Sequence, residues 1–243
     1  MFRARLRLLQ PAIAAFGTAV GAPYYGSWLL QRLVCLIALA IAGTLTSAQA
    51  HPHVWATINT ELLYAPDGSV TGLRQAWTFD DMYSAFATVG IPAKTKGQFT
   101  REELQPVADL NISSLKDFRY FTYAAIDGKK IKDAFVDPID YWLTYDPKAT
   151  ALTLHFTLPF RQPAKAKVLK IEIYDPEFFI DFGFAKKDPA KMVGAPPQCA
   201  LWTEKPTDPN FVSSQQLNRG YVPSEAFVGM GMNFANKIIV QCP

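Results

Sequence analysis

The stretch VWATINTELLY-APDGS-VTGLRQAWTF, residues 54–79, decides the fold. Val54 to Tyr64 is rich in β-formers, Pro66-Asp67-Gly68 supplies turn chemistry, and Val70 to Phe79 runs back as a second such segment. Two β-rich runs around a Gly-containing turn predict a β-hairpin.

Reading toward the C-terminus, Asp80 or Asp81 can cap a short helix through Ala87, which Gly90-Ile91-Pro92 ends. Lys94 to Gln98 is a polar loop. Thr100 and Glu103 fit a capping box, and Leu104, Val107, Ala108 and Leu115 then share one helical face. Pro106 and the weak run Asn111-Ile112-Ser113 predict a kink or break in that helix. From Phe118 the pattern turns to strands. They are expected over Tyr120–Ala125, over Ile131–Phe135 after a turn at Asp127-Gly128, over Tyr141–Tyr145, and over Val168–Tyr174. Leu152, Leu154, Phe156 and Leu158 alternate with Thr153, His155 and Thr157, the period of a half-buried strand. Asp175-Pro176-Glu177 breaks into the aromatic run Phe178–Phe184, which reads as core strand. A helix is expected from Ser224 through Phe234 and a closing strand over Lys237–Cys242. No strand–helix–strand rhythm is present. The fold class is therefore α+β, mainly antiparallel β in sandwich-like sheets, with one or two short helices after the first hairpin.

Reading toward the N-terminus, residues 1–50 carry Arg3, Arg5, Arg7 and Arg32 and no acid. The apolar run Leu33–Ala42 follows, and the segment closes on Ala48-Gln49-Ala50. A basic start, a short apolar core and an A-x-A site predict a secretory signal peptide over residues 1–50, cut after Ala50. The run is shorter than the roughly 20 residues of a bilayer span. The presequence is long, which predicts a true start downstream of Met1. The domain left is 51–243.

The full chain has 24 basic and 21 acidic side chains. Loss of the four arginines leaves 20 against 21, a net of −1 with histidine neutral. A near-neutral domain gives no electrostatic argument for nucleic acid or an anionic membrane. Two of the three cysteines remain, Cys199 and Cys242, and an even count in an exported chain favours a disulfide.

The cut would make His51 the first residue, with His53 two positions on. An α-amine and two imidazoles are partly free as bases at neutral pH. Residues i and i+2 of an extended segment share a face, and nitrogen donors of this kind suit a divalent transition metal (Ni, Co, Zn or Cu). Pro52 has no amide proton to lose, which disfavours a square-planar site built on backbone nitrogens. Further ligands must come from the fold. Asp80 and Asp81 lead, because the hairpin returns them to the N-terminal end, followed by Asp175 and then His155. No Ser-His-Asp or Cys-His set is present, so the chain does not read as an enzyme.

Several of these segments carry a resemblance. The HPHVW start, Trp77-x-Phe79-Asp80, Tyr120-Phe121-Thr122-Tyr123, Tyr174-Asp175-Pro176-x-Phe178-Phe179 and the cysteine-ended final strand resemble domain-of-unknown-function family 1007. The resemblance implies a bacterial periplasmic protein, a component of a transport system, with a nickel/cobalt-type inner-membrane permease as partner. It raises Asp175 among the expected ligands. Two other functions compete: a copper enzyme built on the N-terminal histidine, and a β-domain that docks on a permease without metal.

Overall fold

The hairpin that opens the domain is formed as its sequence predicts. The structure, a computed structural model, describes residues 53–206 and 230–243. The expected signal peptide, the cut after Ala50, His51, and residues 224–229 of the expected helix lie outside the described residues. β1 (Val54–Tyr64) pairs antiparallel with β2 (Val70–Phe79), Ile58 opposite Trp77 and Leu62 opposite Leu73. Val54, Ala56, Ile58 and Leu62 on β1, with Leu73, Trp77 and Phe79 on β2, are all buried. This period of two places one face of the hairpin on the core.

Asp80 caps α1 (Asp81–Ala87), and its carboxylate accepts from Tyr83 N at 2.9 Å. α2 (Arg101–Lys116) opens with the full capping box of Thr100 and Glu103. The kink expected at Pro106 is absent: the helix runs on through it. Pro106 removes one hydrogen bond, and the carbonyl it frees belongs to exposed Glu102, which water can reach. Further on, Asn111 is recruited by packing, since Nδ2 donates to Val107 O and Oδ1 accepts from Tyr83 Oη at 2.6 Å. Buried Ile112 completes the face of Leu104, Ala108 and Leu115, so tertiary contacts override weak propensity.

The remaining strands are β3 (Thr122–Ile126), β4 (Lys129–Ile131), β5 (Ile139–Asp146), β6 (Ala151–Ala164), β7 (Val168–Ile173), β8 (Ile180–Phe184), β9 (Ala190–Val193), β10 (Ala200–Glu204) and β11 (Asn236–Gln241). One sheet has the order β5-β6-β2-β1-β8, with β9 also on β1; the other is β10-β11-β7-β3-β4. Most pairs are antiparallel, but β8 and β9 run parallel to β1 along its two halves. A single core takes side chains from both sheets and from α2, with Phe182 in contact with Trp77 on one side and Phe121 on the other.

Four expected elements shift. The core strand expected over Phe178–Phe184 begins at Ile180, because the turn on Asp175 holds Phe178 left-handed and leaves Phe179 exposed. Arg119, Tyr120 and Phe121 are not strand but a left-handed turn, with φ of 53°, 54° and 47°. This conformation costs roughly 1–2 kcal/mol per residue. It is held by Phe121 N on Phe118 O, Tyr174 N on Phe121 O, and Tyr120 Oη on Asp137 Oδ1. The strand expected over Ile131–Phe135 ends at Ile131, and Phe135 makes only an isolated bridge to Phe160. The described end of the expected 224–234 helix, Met230–Phe234, is a 3-10 turn. The disulfide Cys199–Cys242 is formed.

Candidate functional site

His53 is the last residue before β1, and two carboxylate-centred turns meet there. On the β2 side, Asp80 exchanges backbone bonds with the start of β1. Its N–H donates to Trp55 O at 2.9 Å, and its Oδ2 accepts from Trp55 N at 2.8 Å. Its other oxygen caps α1. One carboxylate thus ties the first strand to the first helix. Asp81, next in the chain, is exposed in the first turn of α1.

On the β8 side, Asp175 is 4% exposed. Its Oδ1 accepts from Glu177 N at 2.9 Å, and its Oδ2 accepts from Phe179 N at 2.9 Å and Ile180 N at 3.0 Å. Three backbone donors on one carboxylate fold residues 175–180 into a tight loop, with Phe178 at φ 55°. The Phe178 ring stacks on Phe234 at 3.9 Å. Gly231 lies against Asp175 O so closely that an added Cβ would sit 1.8 Å from it. Only glycine fits there.

The loop delivers Phe179 to His53. His53 N donates to Phe179 O at 2.9 Å, and the two rings lie 5.0 Å apart. His53 is exposed. Among the described residues its ring nitrogens make no hydrogen bond, which leaves them available as ligands.

The expected ligands therefore divide. His53, Asp80 and the Asp175 loop converge on one end of β1, as the hairpin and the β1–β8 pairing require. Asp175 Oδ2 already accepts two donors and its carboxylate is buried, so Asp175 organises the loop. Asp80 keeps a second lone-pair direction on each oxygen, and Asp81 is open. His155 is not brought there. It is level with Ala76 and Asn59 across the sheet, about 20 Å along β1 from His53. Its ring stacks on Trp142 at 4.8 Å, bonds Thr144 Oγ1 at 3.0 Å, and lies on the face where Arg101 covers Trp142 at 4.6 Å. Among the described residues, no three His, Cys, Asp or Glu side chains gather as a metal set. Two members of this region escaped the sequence reading. Phe179 positions His53, and Glu177, exposed in the same loop, offers an open carboxylate. The pattern Asp-Pro-Glu-Phe-Phe held that signal.

A separate open cavity of about 230 Å³ lies between Tyr120, Tyr123, Phe135 and Arg161. Its charges are matched within the chain. Lys116 pairs with Asp137 at 2.7 Å, Arg119 with Asp133 at 3.7 Å, and Arg161 donates to the carbonyls of Asp133 and Phe135.

The fold and this end of it define a two-sheet α+β domain whose first strand is locked by two aspartates. A family described as "Protein of unknown function (DUF1007)" matches residues 36–242, and the chain belongs to that family. A comparison with curated proteins gives no match.

Proposed function

We propose that the protein is an exported, periplasmic transition-metal-binding accessory that exchanges Ni, Co, Zn or Cu with an inner-membrane permease. The metal is held by the amine and imidazole of His51 and the imidazole of His53. Oxygen comes from exposed Asp81, from Asp80 or from exposed Glu177. The observation that supports this reading is the fixing of His53: its backbone is bonded to Phe179, while its imidazole is exposed and neither ring nitrogen is hydrogen-bonded among the described residues. A ligand on a fixed strand end loses less freedom on binding than one on a loose tail. Nitrogen donors with one or two carboxylates suit the borderline metals and make the site pH-dependent, since both imidazoles must be neutral to bind.

The test compares metal content after export for three proteins: the native chain, a chain with one extra residue before His51, and His53→Ala. The native protein is expected to retain metal. Each change should lower affinity by no less than the roughly tenfold loss that even an outer-shell change causes. Equal affinity in all three, or N-terminal sequencing that finds residues ahead of His51 on the exported protein, would sink the proposal.

A further inference from the structure

The outer face of the first sheet carries a row of flat side chains with a gap in it. In register across β5, β6, β2 and β1 stand Trp142, His155, Ala76 and Asn59. Arg101 lies over the indole of Trp142 at 4.6 Å. The indole and the His155 imidazole are within 10° of parallel, their centroids 4.8 Å apart. That distance is one strand spacing. The next position in the row holds only the methyl group of Ala76. Beyond it the Asn59 amide is fixed, its Nδ2 donating to Asp188 O at 3.3 Å. The gap belongs to an open cavity of about 560 Å³, which His155, Ala76 and Asn59 line together with the charged side chains Glu61, Arg74, Asp188 and Lys191.

We propose that this cavity binds an uncharged heteroaromatic ring, of the nucleobase or flavin kind, stacked on the second face of His155 above Ala76. Four features select that chemistry. One face of the imidazole is taken by Trp142, and a ring one strand spacing from the other face falls within the roughly 4.5–7 Å of stacked aromatic pairs. The imidazole is fixed before a ligand arrives, since it also bonds Thr144 Oγ1 at 3.0 Å, and a wall already ordered loses little freedom on binding. The charges around the cavity cancel. Arg74 donates to Glu61, Lys191 pairs with the same carboxylate at 2.9 Å, and Asp188 balances the second cation, so neither an anion nor a cation is favoured. Finally, the Asn59 amide, two carboxylates and a guanidinium offer acceptors and donors to the edge of a ring that carries N–H and carbonyl groups.

The test is calorimetric titration of the protein, without metal, with adenosine, with riboflavin and with methyl β-glucoside as a non-planar control. Adenosine or riboflavin should bind, and the glucoside should not. Ala76→Leu, which fills the gap, should weaken binding about tenfold or more. His155→Gln should do the same by removing the stacking wall, a loss of the size seen when an aromatic partner of a base is removed. Urea midpoints check that both variants fold. In the native chain the bound ring should also move the proton resonances of the His155 imidazole upfield and leave those of His53 in place, a readout that holds if the leucine variant does not fold. Failure of both flat rings to bind at millimolar concentration overturns the proposal. So does binding that both variants retain, or a preference for the glucoside, which would make the cavity a sugar site. His155 is about 20 Å along β1 from His53, so none of these results bears on metal affinity, and the two readings fail separately.

Discussion

Asp175 shows how a single buried carboxylate can be structural where its chemistry suggests a ligand. A carboxylate offers about four acceptor positions, and three here are filled by Glu177, Phe179 and Ile180 N–H groups. Asp175→Ala would strand these donors in a loop sealed by Phe178 and Gly231. The expected loss is about 3 kcal/mol, read as a lowered urea midpoint. Asp175→Asn should fall between, because its amide turns one acceptor into a donor facing an N–H. An unchanged midpoint for the alanine variant would show that the loop holds without its carboxylate. His155 gives a second residue-scale prediction. Burial, and then the nearby Arg101 charge, holds its pKa below the ordinary 6.5. The unfolded chain therefore binds that proton more readily than the folded one. The stability due to neutral His155 is complete above pH 6.5 and is lost as pH falls through the lower folded value. His155→Gln should flatten the fall in urea midpoint between about pH 7.5 and 5. An equally steep fall in the variant would assign it to other groups.

At the scale of elements, α2 separates what local rules decide from what packing decides. The Thr100–Glu103 box is a reciprocal pair of backbone bonds within four residues, so it was readable directly and is present. The same local rules predict a kink at Pro106 that is absent, because the carbonyl it leaves unpaired belongs to exposed Glu102. Pro106→Ala should therefore stabilise the protein modestly, by about 1 kcal/mol, since it restores one bond and removes a poor helix former near the helix start. A destabilised variant would mean that the proline is used for packing. The hairpin at 54–79 is legible to the residue because a turn and two β-rich runs are contiguous. The left-handed turn at Arg119–Phe121 was not, since its residues are good β-formers held by distant partners, Asp137 and Tyr174. Nor was the parallel pairing of β8 and β9 with β1, which depends on where the chain returns after more than a hundred residues. The same limit applied to the candidate site. Chemistry named His53 and Asp80, and the hairpin brought them together, but the role of Phe179 depended on that parallel pairing.

At the scale of the whole molecule, one sheet is secured by the long strands β1, β2 and β6, while the other ends in a weak edge. β10 is five residues long with alternate residues exposed, and among the described residues it pairs only with β11. Such an edge strand adds little to the core and frays easily. Cys199 precedes it and Cys242 follows β11, so the disulfide fastens the pair beside the Ala200–Gln241 register position. The sequence separation of 43 corresponds to about 4 kcal/mol of loop-closure entropy removed from the unfolded chain. Disulfides of this kind form and persist in oxidising compartments and are rare in reducing ones. Replacing both cysteines by serine should then act at two levels. Global stability should fall by roughly 4 kcal/mol in urea denaturation, through the unfolded state. Amide exchange should also speed first in Ala200–Glu204, while β1 and β2 lose protection only in step with the global change. If protection instead falls equally in β10 and β2, the bond constrains the unfolded chain alone and the β10 edge is held by its hydrogen bonds to β11. If β10 exchanges fast while the urea midpoint is unmoved, the disulfide serves only as a clasp on the sheet edge, and the domain could fold in either compartment.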